Sequence, residues 1–145
     1  MIRTIGLMAL LLAPGSALAG MTVSVDMGAA FHDVYEYDLG LRAGYTITLV
    51  NVHLTPEISE RLLVAEDDLA LGTFFGARAS IGFAVAPGVY FSTGAWTYDQ
   101  TTSTSGGVTL DFRAIPLMVV GAHGGYTLHD KGDFPSAGVH AGIEF

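Results

Sequence analysis

The sequence predicts an all-β fold: one antiparallel up-and-down β-barrel that spans a membrane, with eight strands. Three observations predict it: stretches of alternating apolar and polar residues, tight turns that alternate with longer polar segments, and a closing strand that ends on Phe145. Period-two alternation is typical of strands with one apolar face. Half of the 145 residues are apolar, yet no run after residue 20 has the length of a membrane helix. This combination favours a membrane barrel or a soluble β domain.

The first 19 residues have the pattern of a secretory signal peptide. Arg3 precedes the apolar run Ile5–Leu12, and Ala17–Ala19 is a small-residue cleavage motif before Gly20. About eight apolar residues are too few to cross a membrane, which takes about twenty. We therefore expect residues 1–19 to be a cleaved signal peptide and residues 20–145 to be one domain. With no cysteine in the chain, neither a lipoprotein anchor nor a disulfide framework is expected.

Composition excludes several classes of function. The chain has 14 acidic residues against six Lys and Arg, a net charge of −8, which disfavours nucleic-acid binding. No glycine-rich phosphate-binding motif follows a strand, so nucleotide binding has no support. The acids Glu66–Asp68 lack EF-hand spacing and are read as a solvated loop. We therefore expect no cofactor, no metal site and no nucleic-acid partner.

An even number of strands of about nine to eleven residues is typical of bacterial barrels, and this chain has room for eight. Alternation is clear in Tyr35–Leu49, Thr73–Val85, Met118–Leu128 and Ala137–Phe145. The predicted strands are residues 21–30, 35–43, 46–54, 71–85, 89–98, 107–114, 117–128 and 136–145.

The segment between residues 43 and 70 has two interpretations. A break at Ala43–Tyr45 makes residues 46–54 the third strand and leaves a possible short helix around residues 55–66. The helix is suggested by Thr55 as N-cap and by a proline at the first helical position. Alternatively, Tyr35–Leu49 is one long strand and Ile58–Ala65 supplies the missing one.

Turn residues suggest an orientation. Ala86–Gly88 and Ala114–Pro116 have the chemistry of tight turns, whereas Asp99–Gly107 and His129–Ser136 are longer and polar. Counted back from a last strand that ends in the periplasm, both tight turns fall on the periplasmic side, as in outer-membrane barrels.

Charged residues fall on the polar faces of the strands. In an eight-stranded barrel these faces line a lumen that side chains fill, where a charge must be paired because loss of its partner costs about 3–5 kcal/mol. Arginine suits this role, since its fork can hold two carboxylates. We expect an ion-pair network in place of an open pore. The predicted network is Asp26, Glu36, Asp38, Arg42, Arg78, Asp111, Arg113, His123, His140 and Glu144. The aromatic residues Trp96, Tyr98 and Tyr126 are predicted to form a girdle at the membrane interface.

The strand pattern and the end on Phe145 resemble small OmpA/OmpX-type outer-membrane barrels across the segment that follows the signal peptide. A weaker resemblance to YfaZ-type outer-membrane proteins rests on Phe112–Leu117, Gly125–Tyr126 and Ala137–Phe145. The resemblance implies a place in the outer membrane of a Gram-negative bacterium, with Phe145 as a signal for the barrel-assembly machinery. It also implies contact with outer-membrane lipids and lipopolysaccharide, and a monomer.

A non-enzymatic barrel with a structural or surface-interaction role is the favoured function. The alternative is a secreted or periplasmic soluble β-sandwich or lipocalin-like binding protein. A minor alternative is a lipid A-modifying barrel enzyme, with Ser80 or Ser92 as nucleophile and His123, His140 and Glu144 as candidate partners. His140 and Glu144 lie about 13 Å apart along one strand, too far for a direct dyad, so no catalytic residue is assigned.

Overall fold

The computed structural model describes residues 17–31, 35–64, 69–97 and 100–145, and of residues 17–19, 35 and 36 it describes the backbone alone. Nearly all of this part is strand. The strands are β1 (Ala17–Phe31), β2 (Tyr35–Leu49), β3 (Val52–Val64), β4 (Leu69–Ile81), β5 (Val85–Trp96), β6 (Thr102–Phe112), β7 (Met118–His129) and β8 (Phe134–Glu144). Within these ranges, no helix has the length and apolarity needed to cross a membrane.

The eight strands form a closed barrel. Each strand pairs antiparallel with the next in sequence, and β1 pairs with β8 over residues 22–30 and 136–144. Beside this seam, Met21 and Phe145 exchange two backbone hydrogen bonds of 2.7 and 2.9 Å. The predicted fold class and strand number are therefore confirmed. Every residue of the seam follows the predicted cleavage site, although β1 itself begins at Ala17.

The structure corrects the prediction for the third strand. β2 runs unbroken to Leu49 and β3 spans Val52–Val64, so the strand predicted at residues 46–54 and the helix predicted at 55–66 are both wrong. The alternative strand, Ile58–Ala65, overlaps β3 up to Val64. Pro56 does not end this strand, because both neighbouring strands offer hydrogen-bond partners to the rest of it. The β2–β3 ladder is only interrupted near Pro56 and resumes in the same register.

One of the two predicted tight turns is misplaced. The chain reverses at residues 82–84, where Gly82 has a φ of +145°, and Ala86–Gly88 belongs to β5. Pro87 is tolerated there because the β4–β5 ladder ends at its neighbour Gly88, and a strand end can spare an N–H. The other turn lies at residues 113–117, where it was predicted.

The predicted long polar segments are mostly strand. β6 begins at Thr102 and β8 at Phe134, which leaves connections of residues 97–101 and 130–133. These two connections lie at one end of the barrel, called the rim end here. The connections 50–51, 82–84 and 113–117 lie at the other end, beside Phe145, and define the turn end.

The two faces of the barrel are inverted relative to a soluble protein. Large apolar side chains are exposed on all eight strands. Among the residues whose side chains the structure describes, sixteen polar or charged residues and five apolar ones are buried. A soluble barrel such as a lipocalin buries its apolar side chains and exposes its polar ones. The apolar stripes of this barrel face outward, as in barrels that meet lipid.

One outward position departs from this pattern. Glu60 is the only charged side chain that points outward from the strands within the described ranges, and its Oε1 accepts a hydrogen bond of 2.8 Å from Thr73 Oγ1. Glu60 lies opposite Leu41 on β2, and the outward residues next to it on β3 are Ile58 and Leu62, both exposed. A carboxylate therefore lies inside an apolar surface.

Candidate functional site

A chain of alternating charges crosses the lumen. It consists of Asp26, Arg42, Glu57, Arg78, Asp111, Arg113 and Glu144, called the ionic chain here. Each of its three guanidinium groups lies between two carboxylates, the arrangement for which the arginine fork is suited.

Arg42 and Arg78 share a carboxylate at the centre of the lumen. Arg42 is paired with Asp26, and its Nη1 lies 3.4 Å from Glu57 Oε2. The same Glu57 oxygen lies 3.7 Å from Arg78 Nη2. Because both arginines are more than nine-tenths buried, neither charge has bulk water as an alternative partner.

Asp111 holds the largest number of polar partners in the ionic chain, and it is fully buried. Its Oδ1 lies 3.5 Å from Arg78 Nη1 and 3.1 Å from His140 Nε2, and it accepts a hydrogen bond of 2.9 Å from Thr109 Oγ1. Its Oδ2 lies 3.6 Å from Arg113 Nη2. Asp111 therefore links its own strand to β4, to β8 and to the connection at residues 113–117.

Towards the turn end, smaller polar groups close the lumen. Arg113 donates a hydrogen bond of 2.6 Å to Glu144. The hydroxyls of Thr22, Thr46 and Thr55 form a continuous row, with distances of 2.8 and 2.9 Å between neighbours. A cavity at this level has a volume of about 20 Å³, about the space of one water molecule.

Towards the rim end, the lumen holds a cavity of about 450 Å³. Its walls include Arg61, whose guanidinium lies 4.9 Å from the centroid of the Phe74 ring and donates a hydrogen bond of 3.4 Å to Ser92. Arg42 and Arg78 line both this cavity and the small one. The ionic chain therefore divides the lumen into a filled half and a hollow half.

The structure brings together seven of the ten residues of the predicted network. Asp26, Arg42, Arg78, Asp111, Arg113 and Glu144 belong to the ionic chain, and His140 contacts Asp111. Asp38 lines the large cavity and forms no ion pair with a described side chain. His123 stacks against His140, with ring centroids 5.9 Å apart. The side chain of Glu36 lies outside the described part of the structure.

Two charged lumen residues were missed by the sequence analysis, Glu57 and Arg61. Both belong to the segment interpreted as a possible helix. The signal was nevertheless present: Thr55, Glu57, Ser59 and Arg61 occupy every second position and face inward. Proline at 56 and the carboxylate at 60 occupy the facing positions and obscured the apolar stripe.

The predicted aromatic girdle requires a correction at Trp96. This side chain points into the lumen and is only 9% exposed. Its Nε1 donates a hydrogen bond of 3.0 Å to Ser103, and its ring packs edge-on against Phe74 at 5.0 Å. Tyr126 faces outward near the rim end and is 51% exposed. Tyr98 lies outside the described residues.

The candidate nucleophiles for lipid modification do not form a catalytic pair. In the part of the chain that the structure describes, neither Ser80 nor Ser92 is hydrogen-bonded to His123 or His140. Ser92 instead accepts the hydrogen bond from Arg61. The lumen is thus organised around ion pairs.

The fold defines a class: closed eight-stranded up-and-down barrels with an apolar outside and a polar lumen, the architecture of small outer-membrane proteins. The chain is similar in fold to Ail, the attachment invasion locus protein of Yersinia pestis. With the Ail crystal structure, the TM-score is 0.62 at 14% identity, over 90% of this chain and 99% of Ail. With the backbone structure of Ail in a phospholipid bilayer nanodisc, the TM-score is 0.60 at 13% identity, over 88% of this chain and all of that one. No protein-family model matches the chain, and no curated protein matches it.

Proposed function

We propose that the protein is a non-enzymatic integral outer-membrane barrel whose role is structural or lies in surface interaction. The observation that carries the proposal is the inverted distribution of its residues, with apolar stripes outside and the ionic chain inside. Lipid chains are a favourable environment for an apolar outer face, and a closed ladder of strands provides hydrogen-bond partners for the backbone N–H and C=O groups.

In this proposal the turn end faces the periplasm and the rim end faces outward. Residues 1–19 direct export and are removed. Outer-membrane lipids and lipopolysaccharide surround the barrel, which is a monomer, and the barrel-assembly machinery recognises the end of the chain at Phe145. The ionic chain leaves no open pore.

Within this function, we favour a structural role over adhesion. Ail is named for attachment and invasion, but in this chain the rim-end connections 97–101 and 130–133 have five and four residues. Binding functions of barrels lie in their longer loops, and connections this short present little contact surface.

Fractionation and gel mobility test membrane insertion. We expect the protein in the outer-membrane fraction, released only by detergent, with a mobility on gels that changes on boiling. Deletion of Phe145 is expected to reduce the folded, heat-modifiable form, because it removes two hydrogen bonds to Met21 at the seam as well as the aromatic end. Phe145→Tyr is the matched control, because it keeps the two backbone hydrogen bonds and also an aromatic residue at this position. Recovery of the wild type in the soluble periplasmic fraction would overturn the proposal.

Substitution of Glu60 tests which face meets lipid. Glu60→Leu is expected to raise the free energy of unfolding in lipid vesicles by about 1 kcal/mol, because an outward carboxylate is costly at membrane depth. The measurement is equilibrium unfolding in urea. Glu57 lies on the same strand but faces the lumen. Glu57→Leu is expected to lower the free energy of unfolding, because it deprives Arg42 and Arg78 of a partner. A lower stability of Glu60→Leu would contradict the lipid-facing assignment.

A further inference from the structure

Three metal-binding side chains converge in the middle of the lumen. Asp26, His123 and His140 each offer one ligand atom that lies within 4.8 Å of the other two. They come from β1, β7 and β8, which are adjacent because the barrel closes: Asp26 lies opposite His140 across the seam. His123 and His140 lie on neighbouring strands with their rings stacked.

The same three residues carry polar atoms without a partner. Asp26 Oδ2, His123 Nδ1 and His140 Nδ1 are buried and make no hydrogen bond within the described residues. Asp26 is 6% exposed and His140 is 3% exposed. A buried polar atom without a partner costs about 1–3 kcal/mol, and each of the three clustered residues carries one such atom that a bound ion could satisfy.

The remaining polar atoms of two of these residues are already held. His140 Nε2 lies 3.1 Å from Asp111 Oδ1, and Asp26 Oδ1 is paired with Arg42. A carboxylate that accepts the N–H of a ligating histidine is the usual outer partner at metal sites, because it leaves the other nitrogen with its lone pair. Arg78 Nη1 also lies 2.8 Å from His140 Nε2. Because arginine can only donate, Nε2 accepts this contact while Nδ1 carries the proton. Binding of a metal at Nδ1 therefore requires Arg78 Nη1 to turn away so that Nε2–H donates to Asp111, and Arg78 keeps its pair with Glu57 through Nη2.

Glycines on neighbouring strands make room for both imidazole rings. A Cβ atom on Gly121 would lie 2.6 Å from Nε2 of His140, and one on Gly138 would lie 2.7 Å from Nε2 of His123. Each ring therefore lies against the backbone of the adjacent strand, and this contact limits its orientation.

Charge and access also suit a cation. Among the described side chains of the lumen, the five carboxylates Asp26, Asp38, Glu57, Asp111 and Glu144 face four guanidinium groups, three on strands and that of Arg113 in the adjoining connection. These formal charges leave an excess of one negative charge. His123 lines the large cavity of the rim end, whereas His140 lies against the small one. An ion that enters the large cavity therefore meets His123 first, and it reaches Asp26 and His140 only past this ring.

We propose that Asp26, His123 and His140 bind a divalent transition-metal ion, and that Zn²⁺ is the ion that this ligand set fits. Two imidazole nitrogens and one carboxylate oxygen are typical of zinc sites with an open fourth position. Zinc bonds of about 2.0–2.2 Å place tetrahedral ligand atoms about 3.4 Å from one another, so the three ligand atoms must move closer together when the ion binds.

Calorimetric titration of the folded barrel in detergent with Zn²⁺, after treatment with a chelator, tests the site. We expect one ion per chain, and we expect Co²⁺ to give the absorption bands of a tetrahedral complex. His123→Phe is the informative variant because His123 makes no ion pair and its ring stacking is retained. Its affinity for Zn²⁺ is expected to fall at least about tenfold, with unchanged heat-modifiability.

His53 provides the matched control. It is also a buried lumen histidine, but its two ring nitrogens have partners at 2.9 Å, Thr48 Oγ1 and the carbonyl of Gly82. His53→Gln should therefore bind Zn²⁺ as the wild type does. Absence of stoichiometric Zn²⁺ binding, or equal affinity in His123→Phe and the wild type, would overturn the proposal. Loss of binding in His53→Gln alone would assign the ion to another site.

Discussion

Replacing Asp111 by Asn is expected to lower the free energy of unfolding by about 3–5 kcal/mol, the usual cost of breaking a buried ion pair. Asp111 is fully buried and lies between Arg78 and Arg113, with His140 and Thr109 as further partners. Asparagine keeps the volume but removes the charge, so two guanidinium groups lose a shared counter-ion in a space without bulk water.

Urea unfolding of the barrel in detergent measures this effect, with the fluorescence of Trp96, the only tryptophan, as the signal. Asp133→Asn is the control because Asp133 lies in an exposed connection and accepts one backbone hydrogen bond, from His129. It is expected to change stability by less than about 0.5 kcal/mol. The combined variant Arg78→Met with Asp111→Leu should recover part of the loss, since apolar pairs can replace buried ion pairs. A loss below about 1 kcal/mol in Asp111→Asn would refute the central role of this carboxylate.

Substitution of Gly107 by Ala is expected to cost about 1–3 kcal/mol, because a new methyl group would be forced into a packed neighbour. A Cβ atom at Gly107 would lie 2.2 Å from the carbonyl oxygen of Gly124 on β7. That oxygen is backbone in a hydrogen-bonded ladder, so it cannot move away without disturbing the β6–β7 pairing. The adjacent Gly106 is the matched control: its Cβ atom would come no closer than 3.6 Å to any atom.

Gly106→Ala is expected to leave stability unchanged or to raise it by about 0.4–1 kcal/mol, through the lower entropy of the unfolded chain. A second pair of neighbours repeats the test on β7. Gly125→Ala would place a methyl group 2.3 Å from the carbonyl oxygen of Gly106, whereas at Gly124 the nearest atom lies at 3.9 Å. Unfolding in urea compares all four variants. Equal effects within each pair would show that the close approach of β6 and β7 does not limit side-chain size.

The sequence predicts the fold class and the number of strands more accurately than it predicts the residues at which the strands begin and end. β8 was predicted almost completely, because apolar residues occupy every odd position from Ala137 to Phe145. β3 was not, because Pro56 and Glu60 interrupt its outer face and the local residues favour a helix cap. This segment is nevertheless a strand, because β2 and β4 supply hydrogen-bond partners on both sides of it in the closed barrel. Such long-range pairing is not encoded within the segment itself.

The arrangement of side chains in the lumen could also be predicted only in part, because it depends on contacts between strands that are far apart in the sequence. Arg42, Arg78 and Arg113 could be assigned to polar faces from alternation, and the structure places each of them between two carboxylates. The aromatic character of Trp96 suggested the girdle, but its inward direction follows from alternation along β5, where Val89 and Phe91 are exposed and Ser92 and Trp96 are buried. The proximity of Asp26 to His123 and His140 depends on the seam between β1 and β8, which joins residues far apart in the chain.

The division of the lumen into a filled half and a hollow half affects how a small solute can enter and leave it. The half beside Phe145 is filled by threonine hydroxyls and ion pairs, while the other half holds about 450 Å³ of space. In the described part of the structure, the free space of the lumen therefore lies at the rim end alone. We expect a small solute that enters this space to leave through the rim end, so that its occupancy reports the concentration on that side of the membrane.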